Sequence, residues 1–297
     1  MSQPELTQIL TMLHDFSWGE TLDEMRSHFN EGFSFPPHPT AQARSLQVDG
    51  VPAELISLPK SNSERIVLYL HGGGFVMGSC QTYRRIASDL AEASQATVLC
   101  IDYRLAPEHP YPAGLEDTLT AYRWLLNTQG FRPEQVAIAG DSAGGNLALV
   151  ALLSLRDAGE TLPAATVLIS PYCDQTQISQ TIATHAEIDP MVSPQLLKTV
   201  TDWYAPNKNL KQSLLSPLYA DLSGLPPLLI HVGAAEVLLD DSLQLARQAG
   251  LANTFVELKV WQNMIHCFHL FAPVLTEGKQ AIAEIGNFLN HHWSSDA

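Results

Sequence analysis

The segment Gly140-Asp141-Ser142-Ala143-Gly144 sets a serine at the centre of a G-x-S-x-G pattern. The apolar run QVAIA precedes it and GNLALVALLSL follows, so Ser142 falls between a strand and a helix. A turn that sharp strains the backbone at its centre and lifts the side chain clear of the sheet. Flanking glycines remove the Cβ atoms that would collide there. The helix beginning at Ser142 points its first amides at the hydroxyl, which favours negative charge beside it. A phosphate-binding glycine turn is the other meaning of so short a pattern. The strand-to-helix context favours a nucleophile, with Asp141 ordering the turn.

A second glycine cluster, His71-Gly72-Gly73-Gly74-Phe75, follows the apolar run IVLYL. Acyl transfer places negative charge on a former carbonyl oxygen. Backbone N–H groups fixed in advance stabilise that charge, and glycine lets the backbone approach closely. An HGGG run after an early strand is the expected partner of a G-x-S-x-G turn. The donors expected are the amides of Gly73, Gly74 and Ala143, with His71 bracing the loop.

A serine hydroxyl near neutral pH needs a base, and the base needs a carboxylate to orient it. After Ser142 the histidines are His185, His231, His266, His269, His291 and His292. The last two fall on a C-terminal helix and His231 falls inside a strand. His266 and His269 lie in a loop after the strand TFVELKVW. As a metal pair, His266-x-x-His269 lacks a third ligand of recognisable spacing and any H-E-x-x-H, so no metal is expected. The carboxylate is sought in Gly233-Ala-Ala-Glu-Val-Leu-Leu-Asp-Asp241, where Glu236 and Asp240 compete.

These residues need a scaffold, and the remaining sequence describes one. Strands are expected at Val48–Leu58, Arg65–Leu70, Thr97–Ile101, Gln135–Ala139, Ala165–Ile169, Leu228–Val232 and Thr254–Val260. SNSE forms the first turn. Helical runs at Leu115–Leu126, Ser142–Leu155, Val237–Ala249 and Lys279–His291 alternate with the later strands. Continuous apolar strands separated by helices predict a mostly parallel sheet covered on both faces. Residues from about 174 to 209 interrupt the alternation and carry Trp203 and Tyr204. Such an excursion belongs over the carboxyl ends of the strands, where ligands bind, and is expected to form a cap. Residues 1–45 read as a further cap segment, helical and then irregular, and 46–297 as the catalytic domain. Phe75, Trp203 and Tyr204 are candidate walls of a substrate pocket.

The balance of 16 Lys+Arg against 31 Asp+Glu gives a net charge of −15. A surface this acidic disfavours phosphate backbones and anionic lipid, so neither nucleic acid nor a membrane surface is an expected partner. The four cysteines form no CxxC pair and suit a reducing compartment. The N-terminal residues have no basic, then long apolar, leader pattern, and no apolar run reaches membrane-spanning length. A cytoplasmic location is the expectation.

HGGGF, the segment Tyr103-Arg-Leu-Ala-Pro-Glu-His-Pro110 and GDSAGG occur in this order and together resemble the hormone-sensitive-lipase-like family of α/β-hydrolase esterases. The similarity runs from about Leu46 to the C-terminal helix. It implies an α/β-hydrolase fold with a helical cap and a serine carboxylesterase acting on short acyl esters. It also implies no metal or cofactor, and pairing into a homodimer through an edge strand near residues 254–261. The chain order in that fold is serine, acid, histidine. His266 matches the family's H-G-F loop with Cys267 in the glycine's place, and His269 is the second choice. The family usually carries aspartate followed by P-L-x-D at the acid. This chain has Glu236-Val-Leu-Leu-Asp240 there. Glu236 stands directly after the strand, thirty residues before His266. It is one methylene longer than aspartate and accepts the same imidazole bond. YRLAPEHP is read as structural. Lactone hydrolysis or amide hydrolysis by the same triad, or a non-catalytic receptor on this fold, are the alternatives. A receptor of this family typically lacks the histidine that this chain keeps.

Overall fold

The alternating apolar runs become one eight-stranded sheet in the computed structural model, which describes residues 3–293. Two helices come first, α1 (Gln3–His14) and α2 (Leu22–Phe33). The sheet region follows as β1 (Gln42–Val48), β2 (Val51–Ser57), β3 (Asn62–Leu70), α3 (Cys80–Ser94), β4 (Ala96–Ile101), α4 (Ala113–Asn127), β5 (Val136–Asp141), α5 (Ala143–Asp157) and β6 (Ala165–Ile169). Next are α6 (Gln180–Thr184), α7 (Pro194–Tyr204), β7 (Leu228–Gly233), α8 (Leu239–Leu251), β8 (Val256–Trp261) and α9 (Thr276–Trp293).

The strand order is β1-β2-β4-β3-β5-β6-β7-β8, with β1 and β2 antiparallel to their neighbours and every later pair parallel. Strands β4, β5, β6 and β7 are buried along their whole length, as a sheet covered on both faces requires. Helix α3 packs on α9 and α4 on α5. In a parallel sheet the carboxyl ends of the strands share one edge, so the turns after β3, β5 and β7 meet there.

Three departures from the sequence expectation have local causes. The run Val48–Leu58 is not one strand. Asp49 (φ 47°) and Gly50 (φ 94°) form a tight hairpin turn, with Val48 opposite Val51. Asp-Gly suits the left-handed backbone of such a turn, and β1 is the strand it adds. The boundary drawn at residue 45 therefore runs through β1. The expected turn SNSE mostly belongs to β3, whose pairing with β4 is irregular between Asn62 and Ile66. Helix α3 was not expected at all. Ser79 caps it by accepting the Thr82 N–H, and it buries Ile86 and Leu90.

The N-terminal helices are joined to the body by aromatic packing. Thr21 and Glu24 close a capping box on α2. Phe16, Trp18, Phe29 and Phe33 form a contiguous cluster that reaches Tyr83 and Phe271. No helix among the described residues is long and apolar enough to cross a membrane.

Candidate active site

Ser142 sits at φ 52°, ψ −115°, between β5 and α5. A non-glycine residue at such a φ carries strain, and its surroundings hold it there. The Ser142 N–H donates to the Ile169 carbonyl at 2.8 Å, and its carbonyl accepts from Asn146 N–H and Tyr172 N–H. A side chain on Gly144 would collide with the Leu70 and His71 carbonyls, which is why this helix can start so close to β3.

Asp141 ties this turn to the glycine loop. Its Oδ1 accepts from Tyr69 OH at 2.8 Å and Gly72 N–H at 2.9 Å, and its Oδ2 from Tyr83 OH at 3.1 Å. Burial pushes its carboxyl up to about 6, against the pull of those donors and of His266. His71 donates through Nδ1 to the Gly72 carbonyl at 2.8 Å and stacks on Tyr103. Tyr103 OH in turn donates to the His71 carbonyl at 2.7 Å, so the YRLAPEHP segment braces the glycine loop. Beyond it the backbone runs through Gly73 (φ 108°), Gly74 (φ 63°) and Phe75 (φ 65°).

His266 Nδ1 lies 2.7 Å from Glu236 Oε2, and both side chains are buried. Glu236 Oε1 accepts from Ser170 Oγ at 2.8 Å and from the Gly233 N–H. Burial draws the imidazole pKa down. The hydrogen bond and charge of Glu236, with Asp189 and Asp141 further off, outweigh it and set the net direction upward. With Nδ1 engaged, Nε2 is the nitrogen left to act, and among the described residues its hydrogen-bond partner is Cys267 Sγ at 3.3 Å. His266 and Ser142 line one cavity together with Gly73, Gly74, Asp141 and Cys267. Catalytic hydrogen bonds often tighten only once substrate is bound.

The competing residues stand elsewhere. Asp240 accepts the Gln180 N–H at 2.8 Å and the Gln244 amide at 3.0 Å at the start of α8. Buried Asp241 holds the Cys173 and Asp174 amides. His269 Nε2 faces His231 Nδ1 at 3.2 Å, and burial holds both imidazoles below their ordinary range.

The cavity measures about 50 Å³, and its remaining wall is apolar. Trp18 and Phe29 come from the N-terminal segment, and Met191, Val192, Leu196, Leu197 and Val200 from the segment between β6 and β7. The three aromatic residues singled out from sequence do not line it. Phe75 and Tyr204 are buried against each other, ring centroids 3.8 Å apart. Trp203 borders an adjoining depression that shares Trp18, Met191, Val192 and Leu196 with the cavity. Ser170 went unrecognised, because a Ser-Pro at a strand end gives no hint of a carboxylate 66 residues further along.

Residues 67–270 match the family described as alpha/beta hydrolase fold. The chain belongs to the α/β-hydrolase family. Within it the hydrolase sits among the hormone-sensitive-lipase-like members. A solved esterase from the bacterial hormone-sensitive lipase family superposes with a TM-score of 0.96 at 44% identity, covering 99% of this chain and 100% of that one. An acetyl-hydrolase of Streptomyces hygroscopicus is 44% identical over 231 residues, 78% of this chain and 77% of that protein. An esterase of Acinetobacter venetianus is 38% identical over 259 residues, 86% of this chain and 84% of that one.

Proposed function

We propose that this hydrolase is a serine carboxylesterase that cleaves short-chain acyl esters through an acyl-enzyme. The observation that carries the reading is the 2.7 Å contact between His266 Nδ1 and Glu236, on a ring that shares a cavity with Ser142 and the glycine turn. Ser142 Oγ attacks the ester carbonyl while His266 Nε2 takes its proton. Glu236 keeps the imidazole in the required tautomer and balances the imidazolium that forms. The amides of Gly73, Gly74 and Ala143 receive the oxyanion. The imidazolium then protonates the departing alkoxide, and water, activated by the same ring, releases the acid.

The size of the cavity supports the short-acyl reading. A water needs roughly 10–15 Å³ of such space, so a cavity of about 50 Å³ suits an acyl group of a few heavy atoms. The acetyl-hydrolase among the relatives supports that choice. Residues 1–45 and the insertion at about 174–209 act as the cap, since both contribute cavity wall. Four buried, unpaired cysteines suit the cytoplasm. A homodimer through β8 completes the proposal.

The test is a p-nitrophenyl ester series from acetate to octanoate, paired with a fluorophosphonate label. Hydrolysis is expected to peak at acetate or butyrate, with the adduct on Ser142 by mass spectrometry. Ser142→Ala should lose both activities. Labelling elsewhere, or full activity in Ser142→Ala, overturns the reading.

A further inference from the structure

We infer that Arg26 is a positioning residue for the oxyanion turn, fixing the Gly73 and Gly74 amides from an N-terminal helix. The inference rests on the esterase reading above. Three successive residues of the turn, Gly73, Gly74 and Phe75, have positive φ. Phe75 has a Cβ and no local relief from that conformation, so the turn keeps its shape only if neighbours hold it. Inside the turn, the Val76 and Met77 amides bond the Gly73 carbonyl. From outside, the Ala106 N–H donates to the Phe75 carbonyl at 2.9 Å.

Arg26 joins these two strands of backbone. Its Nε donates to the Val76 carbonyl at 2.8 Å and its Nη2 to the Ala106 carbonyl at 3.0 Å. The far edge of the guanidinium forms a fork with Glu108, both distances 2.7 Å. Glu108 stands in the same loop as Ala106, so one planar group grips the loop twice and the turn once. The Arg26 side chain is only 24% exposed, which separates it from an ordinary surface pair. Helix α2 also supplies Phe29 to the cavity wall. The N-terminal segment therefore sets amide geometry as well as covering the site.

Donors must meet the developing oxyanion at about 2.7–3.1 Å, and losing one outright costs about 10²–10³ in kcat. Loosening two donors without removing them should cost about 10–100-fold in kcat. KM should stay within about threefold, because the ground-state carbonyl depends less on them. The decisive probe is a trifluoromethyl ketone. Ser142 Oγ adds to its carbonyl carbon, the proton passes to His266, and the ketone oxygen becomes the anion held by the turn. Its affinity should fall by the same factor as kcat in Arg26→Ala.

Arg26→Lys keeps the charge but cannot hold both carbonyls and should fall between. Arg123→Ala is the control, since it deletes an exposed fork to Glu160 (2.9 and 2.6 Å) far from the cavity. It should leave kcat and ketone affinity unchanged. Wild-type kcat in Arg26→Lys and Arg26→Ala overturns the inference. So does a fall in kcat with unchanged ketone affinity, or an equal fall in Arg123→Ala. If Arg26→Ala does not fold, Arg26→Lys alone decides. A wild-type protein that neither hydrolyses esters nor labels on Ser142 sinks the esterase reading instead.

Discussion

A base with a raised pKa works only once it has lost its proton, and this fixes the pH behaviour expected if His266 is the base proposed above. Protonated imidazole cannot accept from Ser142, so kcat/KM should rise with pH through the His266 pKa, above the ordinary imidazole range. Glu236→Gln removes the charge that raises it. The acid limb should move to lower pH while kcat falls roughly 10³–10⁴-fold. Stability runs the opposite way with pH. A folded-state pKa above the unfolded value gives stabilisation that is complete below the unfolded pKa and fades as pH rises through the folded one. Glu236→Gln should flatten that slope in urea titrations between pH 5 and 8. The group facing Nε2 is Cys267 Sγ. Its thiol, kept protonated by burial, can donate to Nε2 only while that nitrogen is unprotonated, which favours the neutral ring. Cys267→Ala should therefore move the acid limb to higher pH, and an unmoved limb refutes the thiol contact. Ser142 and the glycine loop were legible in sequence because their chemistry depends on neighbours within a few positions. Ser170 was not, because its meaning comes from Glu236 across the fold.

Helix α7 illustrates the limit at the next scale. Its amphipathic pattern and Ser193 cap are local, but the face it turns to the site is set by packing. The residue that meets the glycine turn is Val200, buried and lining the cavity. A Cβ on Gly74 would lie 3.0 Å from Val200 Cγ1. Trp203 and Tyr204 stand out by size, whereas a valine gives no sequence signal. Because Val200 closes the cavity above Gly74, Val200→Ala should shift the proposed preference for acetate or butyrate toward hexanoate. The deletion should cost about 1–3 kcal/mol of stability. An unchanged chain-length profile, measured as kcat/KM across the ester series, would remove Val200 from the acyl site. The hairpin at Asp49-Gly50 is the reverse case, a turn signal in two adjacent residues whose first strand, β1, lies among polar, mostly exposed residues and carries no apolar pattern.

For the whole molecule the open edge of β8 is the feature that bears on assembly. It ends the sheet, paired on one side with β7. An edge strand offers unpaired backbone groups to another chain, and charges such as Glu257 and Lys259 limit the partners it accepts. Beside it Phe255 is 52% and Leu251 74% exposed, apolar surface that a second copy would cover. Two copies related by a twofold axis would pair β8 antiparallel to itself and continue the sheet. Each copy brings a net charge of −15, so association works against repulsion that salt screens. Light scattering should therefore give about twice the 32.5 kDa chain mass, with the dimer tightening between 20 and 300 mM salt. Phe255→Glu adds charge at the seam and should yield monomer at micromolar concentration. Its kcat should stay within about twofold, because Phe255 is not among the residues lining the Ser142 cavity. A wild-type mass of one chain at every salt concentration rules out pairing through β8.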